Sequence, residues 1–144
     1  MRFYRYFRDT DRWPNEGLSK KCSMINYNGK VFRSLSNSEN GGVSLDTVFR
    51  YVQVGNLVTC SYSGGKIVWG HLIALVHPNG CLDMRYHQLN TEGALMTGTC
   101  FTKPEILAGG RLRLHEKWRW TSGDCSEGTS VLQEEEGVDS LQSH

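Results

Sequence analysis

GRLRLHEKWRW, residues 110–120, alternates with a period of two along its whole length. Arg111, Arg113, His115, Lys117 and Arg119 fall on one side, and Leu112, Leu114, Glu116, Trp118 and Trp120 on the other. That period belongs to an extended strand with one wet face and one buried face. Five basic side chains cannot make a core, so the Leu and Trp side faces inward. Glu116 then stands in a buried row, where an ionised carboxylate is costly unless it is paired or protonated.

Outward from this strand, the chain reads as consecutive hairpins. Candidate strands cover 30–36, 47–54, 57–63, 66–76, 81–90, 94–102, 111–121 and 129–135. Turn signals lie between them at Gly55-Asn56, Gly64-Gly65, His77-Pro78-Asn79-Gly80 and Glu92-Gly93, where glycine or asparagine supplies the positive φ of tight turns. The connection TKPEILAGG, 102–110, is the one place after residue 24 with room for a turn of helix. Pairing across these turns sets Tyr51 opposite Cys60, Cys60 opposite Trp69, Trp69 opposite Gln88, and Gln88 opposite Thr97. The adjacent row is Gln53, Val58, His71, Tyr86 and Thr99. In this register Phe49, Tyr51, Tyr62, Ile67, Trp69, Ile73, Leu75, Leu82, Met84 and Phe101 point inward. Val68, Leu72 and Val76 share the outer face with charged residues. Antiparallel strands in sequence order leave two open edges unless they meet. The expected fold is therefore all-β, a closed up-and-down barrel of about eight strands able to hold one small ligand. A β-sandwich is the alternative, disfavoured by the short connections.

The 144 residues suit one domain. We divide them into an N-terminal extension, 1–23, a barrel domain, 24–136, and a polar tail, 137–144. A formal charge of +1 gives no general reason to expect nucleic acid as a partner. The basic residues of 110–120 also alternate away from its aromatics, whereas a nucleic-acid surface needs both together. No apolar run reaches membrane-spanning length, and the N-terminus lacks a signal-peptide pattern, so a cytoplasmic protein is expected. The five cysteines, Cys22, Cys60, Cys81, Cys100 and Cys125, show no metal-ligand spacing. No metal and no cofactor are expected. No phosphate loop, GxSxG or HExxH occurs.

The inward polar groups nominate a small-molecule site. Glu116, His71 and Tyr86 would orient a ligand, Trp69, Trp118, Trp120, Tyr51 and Tyr62 would enclose it, and Gln88 and Thr99 would add hydrogen bonds. A carrier or sensor is the leading function. A small enzyme moving protons between His71 and Glu116, of the isomerase or dehydratase type, is the alternative. A further alternative is an oligomerisation module built on Val68, Leu72 and Val76. Asp83, Arg85 and His87 form a secondary, outward-facing cluster.

The segments INYNGKVFRSLSNSENGGVS (25–44), VTCSYSGGKIVWGHLI (58–73), LDMRYHQLN (82–90), PEILAGGRLRLHEKWRWTSGD (104–124) and GTSVLQE (128–134) resemble a family of small bacterial proteins. Its members often carry the name N-acetylglutamate synthase. The resemblance implies a calycin-like barrel and brings no catalytic residues with it. The Q/R-x-x-G-x-G/A loop and following helix of N-acetyltransferases are not present in this chain, so that activity is not expected.

Overall fold

The computed structural model describes residues 25–38 and 40–136. The proposed N-terminal extension and polar tail lie outside the described residues. Nine strand segments follow one another: β1 (Val31–Asn37), β2 (Val48–Arg50), β3 (Val52–Val54), β4 (Leu57–Gly64), β5 (Ile67–Val76), β6 (Leu82–Asn90), β7 (Leu95–Ile106), β8 (Leu112–Trp120) and β9 (Glu127–Glu134). Each pairs antiparallel with its neighbours, in the order β2-β1-β9-β8-β7-β6-β5-β4-β3, and a further β2–β4 pairing closes the ring. The segments β2 and β3 share one position beside β4 and interrupt each other at Tyr51, whose N–H instead donates to Lys30 O at 2.9 Å. The result is the closed eight-stranded, all-β barrel expected from the hairpin pattern. No helix occurs among the described residues, so none is long and apolar enough to cross a membrane.

Three hairpin loops share one geometry. In Pro78-Asn79-Gly80, Thr91-Glu92-Gly93 and Ala108-Gly109-Gly110 the third residue is a glycine, with φ of 91°, 84° and 94°. Its N–H donates to the residue three back: Gly80 to His77, Gly93 to Asn90 and Gly110 to Leu107. The flanking residues then pair as His77 with Cys81, Asn90 with Ala94, and Leu107 with Arg111. This three-residue loop ends in a left-handed position that glycine adopts without strain. It holds one residue more than a two-residue turn, and one residue reverses side-chain parity.

The interior therefore differs from the expected register on two strands. The faces of β4, β6 and β8 are as read from sequence: Val58, Cys60, Tyr62, Leu82, Met84, Gln88, Leu112, Leu114, Trp118 and Trp120 are buried. On β7 the buried residues are Gly98, Cys100 and Thr102, so Thr97, Thr99 and Phe101 point outward. On β5 the pairing shifts between Ile67 and Trp69, a bulge that turns Val68 and Trp69 both outward. From there Gly70, Leu72, Ala74 and Val76 face the core, while His71, Ile73 and Leu75 do not. The segment expected to hold a helical turn is instead the end of β7 and a hairpin loop, with Ile106 opposite Leu112.

The two ends of the barrel are unlike. Short loops close one end, where the lead-in segment places Tyr27 under the barrel and its hydroxyl donates to Gly80 O at 2.6 Å. At the other end lie the β4–β5, β6–β7 and β8–β9 connections and the longest one, residues 38–47 between β1 and β2. Asn40 Nδ2 donates to Ser126 Oγ and to Glu127 O, and Ser38 exchanges hydrogen bonds with Thr129, which fastens this loop across the barrel mouth.

Candidate functional site

Under the 38–47 loop is a cavity of about 50 Å³, whose walls include Gly41, Gly42, Phe49, Tyr62, Tyr86, Gln88, Glu116, Trp118, Trp120 and Ser130. Three of these aromatics owe their place to glycines on the neighbouring strand. Gly70 stands beside Tyr62, Gly98 beside Tyr86 and Gly128 beside Trp118, each pair directly opposed in register. A β-carbon on any of these glycines would collide with the facing ring; on Gly128 it would lie 2.5 Å from Trp118 Cη2. Glycine inside a strand here marks a close approach by a neighbouring group. The rings lie flat over bare backbone and form the cavity wall. Trp120 meets Tyr86 edge-on at 5.6 Å and Trp118 at 5.8 Å, which continues the aromatic surface.

Glu116 is placed by its strand partners, Thr102 on β7 and Ser130 on β9. Its Oε1 accepts from Ser130 Oγ at 2.7 Å, the one hydrogen bond to this carboxylate among the described residues. The group lines the cavity. Loss of water raises its pKa from 4.5 to about 7, with the Ser130 hydrogen bond opposing that rise. Near neutrality the carboxyl is therefore divided between a proton donor and an anion. A second acceptor is Asn37 Oδ1, buried without a partner among the described residues while its Nδ2 donates to Val43 O at 2.8 Å. Gln88 Oε1 accepts from Tyr62 Oη at 2.9 Å, which fixes the orientation of both.

The thiols and phenols around the cavity are held in their neutral forms. Burial pushes the Cys60 thiol up to about 12 and raises Cys100 and the hydroxyls of Tyr51, Tyr62 and Tyr86 as well. None of these five groups supplies a thiolate or phenolate nucleophile near neutral pH. Among the described residues no group of three or more His, Cys, Asp or Glu could hold a metal ion.

The cavity brings together Glu116, Tyr86, Gln88, Trp118 and Tyr62 from the nominated residues. Tyr51 is buried just outside the cavity lining, tilted against Phe32 at 4.9 Å. Trp69, His71 and Thr99 are on the outer face, a correction that follows from the β5 bulge and the three-residue loops. Trp69 is 52% exposed. His71 and Glu116 consequently do not share a cavity, so the expected proton-transfer pair is not assembled. Asp83, Arg85 and His87 do face outward, with Arg85 Nη1 paired to Asp83 Oδ1 at 2.9 Å. Leu72 and Val76 are core residues and cannot form the outer patch assigned to them. Trp120, also expected as an aromatic wall, lines the cavity, whereas sequence reading missed Asn37 and Ser130 as site residues. The signal for Ser130 was its offset from the strand carrying Glu116; nothing local marks Asn37.

Neither the curated proteins nor the solved structures returned a match to this chain. A family model described as avidin-like protein matches residues 25–135, which is the whole barrel from the Tyr27 lead-in to the end of β9. The chain belongs to the avidin-like family.

Proposed function

We propose that this protein binds a small molecule in the barrel mouth, beneath the 38–47 loop, and acts as a carrier or sensor. The observation that carries this is a pair of incompletely satisfied acceptors on an aromatic cavity: among the described residues the Glu116 carboxylate is held by Ser130 alone, and Asn37 Oδ1 has no donor. Buried acceptors are stable when donors reach them. The matching ligand presents N–H or O–H donors at one end and an apolar ring or chain at the other, against Trp118, Trp120 and Tyr62. Tyr86 and Gln88 orient it. With the loop in place the cavity has room for a few waters. Ligands of several hundred Å³ need more, so binding includes displacement of residues 40–43.

Native mass spectrometry of protein purified from cells tests this reading. A retained small molecule that is lost in Glu116→Gln and in Trp118→Ala supports it. An empty barrel that also takes up nothing from a metabolite extract sinks it.

A second reading, assembly with further copies of this chain, draws on a different observation. Val52, Val54 and Ile73 are 50%, 73% and 47% exposed on the outer faces of β3 and β5. Thr59 lies between Val52 and Ile73 in one row, and Leu57 joins Val54 to Leu75 in the next. Exposed apolar strips of this kind mark association surfaces. Sedimentation that stays monomeric at high concentration removes this reading without touching the first.

A further inference from the structure

The β5 bulge that turns Trp69 outward also turns His71 outward, directly opposite His87 on β6. Their ring centroids are 5.8 Å apart, and the planes meet at 81°. Trp69 stacks on the other side of His71, with centroids 6.1 Å apart and planes 11° from parallel. No hydrogen bond or ion pair engages either imidazole among the described residues. The row that holds them is Ser61, His71, His87, Thr97 and Thr121, with no charge in it. Arg85, two residues along β6, is already paired to Asp83. Two imidazoles thus share an exposed patch free of competing acids, with one of them pinned by an indole.

We propose that His71 and His87 chelate a divalent transition-metal ion on the outside of the barrel, with water completing its shell. Neutral imidazole is a ligand for Zn²⁺, Ni²⁺ and Cu²⁺, bound at about 2.0–2.1 Å for zinc. Two such bonds at a tetrahedral angle, extended by the ring radius, put the ring centroids about 5 Å apart. The observed separation is within an ångström of that, inside the reach of a small χ rotation. The strands supply the remainder: they are paired from Gly70–Gln88 to Val76–Leu82, so the two Cα positions are fixed before the ion arrives. The site is independent of the interior cavity, since the barrel wall separates them. It tolerates exchange of the ion, because two protein ligands leave most of the coordination sphere to solvent.

The test uses the full chain and Ni²⁺, which avoids thiol oxidation. Calorimetric titration and tryptophan fluorescence are read together, since an ion at His71 lies next to the Trp69 ring. Wild type takes up one Ni²⁺ with partial quenching. His71→Gln and His87→Gln each weaken binding roughly tenfold or more, while their thermal midpoints without metal stay close to wild type. Trp69→Phe abolishes most of the quenching and keeps the calorimetric signal. Absence of uptake at millimolar Ni²⁺ overturns the inference. So does uptake that survives both histidine substitutions, which would put the ion elsewhere, such as at His115 and Glu105.

Discussion

Gly98 and Tyr86 face each other across β7 and β6, and the tyrosine ring occupies the space that a side chain at residue 98 would fill. The Arg119 carbonyl lies behind the same position, 2.7 Å from where a β-carbon would be. The ring can retreat toward the cavity, but the backbone cannot. Gly98→Ala therefore forces Tyr86 inward and strains the β7–β8 ladder, at a cost of about 1–3 kcal/mol. Urea denaturation measures the loss, and ligand uptake should fall with it because Tyr86 then blocks the cavity. Unchanged stability would mean that the ring does not rest on residue 98.

Glu116 makes stability depend on pH in a direction opposite to that of a paired surface carboxylate. Its folded-state pKa, about 7, lies above the ordinary value of 4.5. Folding takes up a proton between those values, so stability falls as pH rises through this window and levels off above it. The full penalty is about 3 kcal/mol. Glu116→Gln keeps the shape and removes the charge. Denaturation at pH 5 and pH 8 should show the variant gaining on wild type at the higher pH, and equal gains at both would contradict the buried position of the carboxylate.

Trp120 joins the cavity wall to its cover. Its Nε1 donates to Asn40 O at 3.2 Å. Trp120→Phe retains an aromatic wall but releases that bond, at a cost of about 1 kcal/mol. Hydrogen exchange at residues 40–43 should quicken several-fold while exchange in β5–β8 stays as it was. Uniformly quickened exchange would mean that the bond supports the barrel as a whole.

At the closed end, Tyr27 is fully buried and its hydroxyl is bonded to Gly80 O. Tyr27→Phe leaves that carbonyl without its donor and should lower stability by about 1–2 kcal/mol. Ligand uptake at the opposite mouth should be unaffected once the protein is folded.

Much of this arrangement was legible in the sequence. Period-two alternation in β8 identified the inner face, and the chain of hairpin turns led to a closed barrel. Glu116 was marked by polarity alone, and the cavity forms around it. The register errors have two physical origins, loop parity and the β5 bulge. Parity passes along a hairpin chain through each loop, so a three-residue loop read as an even turn reverses the next strand. Pro-Asn-Gly, Thr-Glu-Gly and Ala-Gly-Gly carry the corrective signal, a glycine in third place, and it went unread. The β5 bulge is less visible, because Val68 and Trp69 are both apolar and either could face the core. Asn37 was beyond reach, since its role depends on where a long loop folds back.

The unlike ends of the barrel divide the work of the chain. The Tyr27 plug rests on the tight turns at one end, whereas the register of β4 to β8 depends on tight turns at both ends, where a single insertion reverses a strand. The 38–47 and 121–126 connections lie at the mouth and do not set the register of β4 to β8. Evolution or an engineer can therefore vary the lengths of those two loops to change what the barrel accepts, and the scaffold beneath them would remain the same.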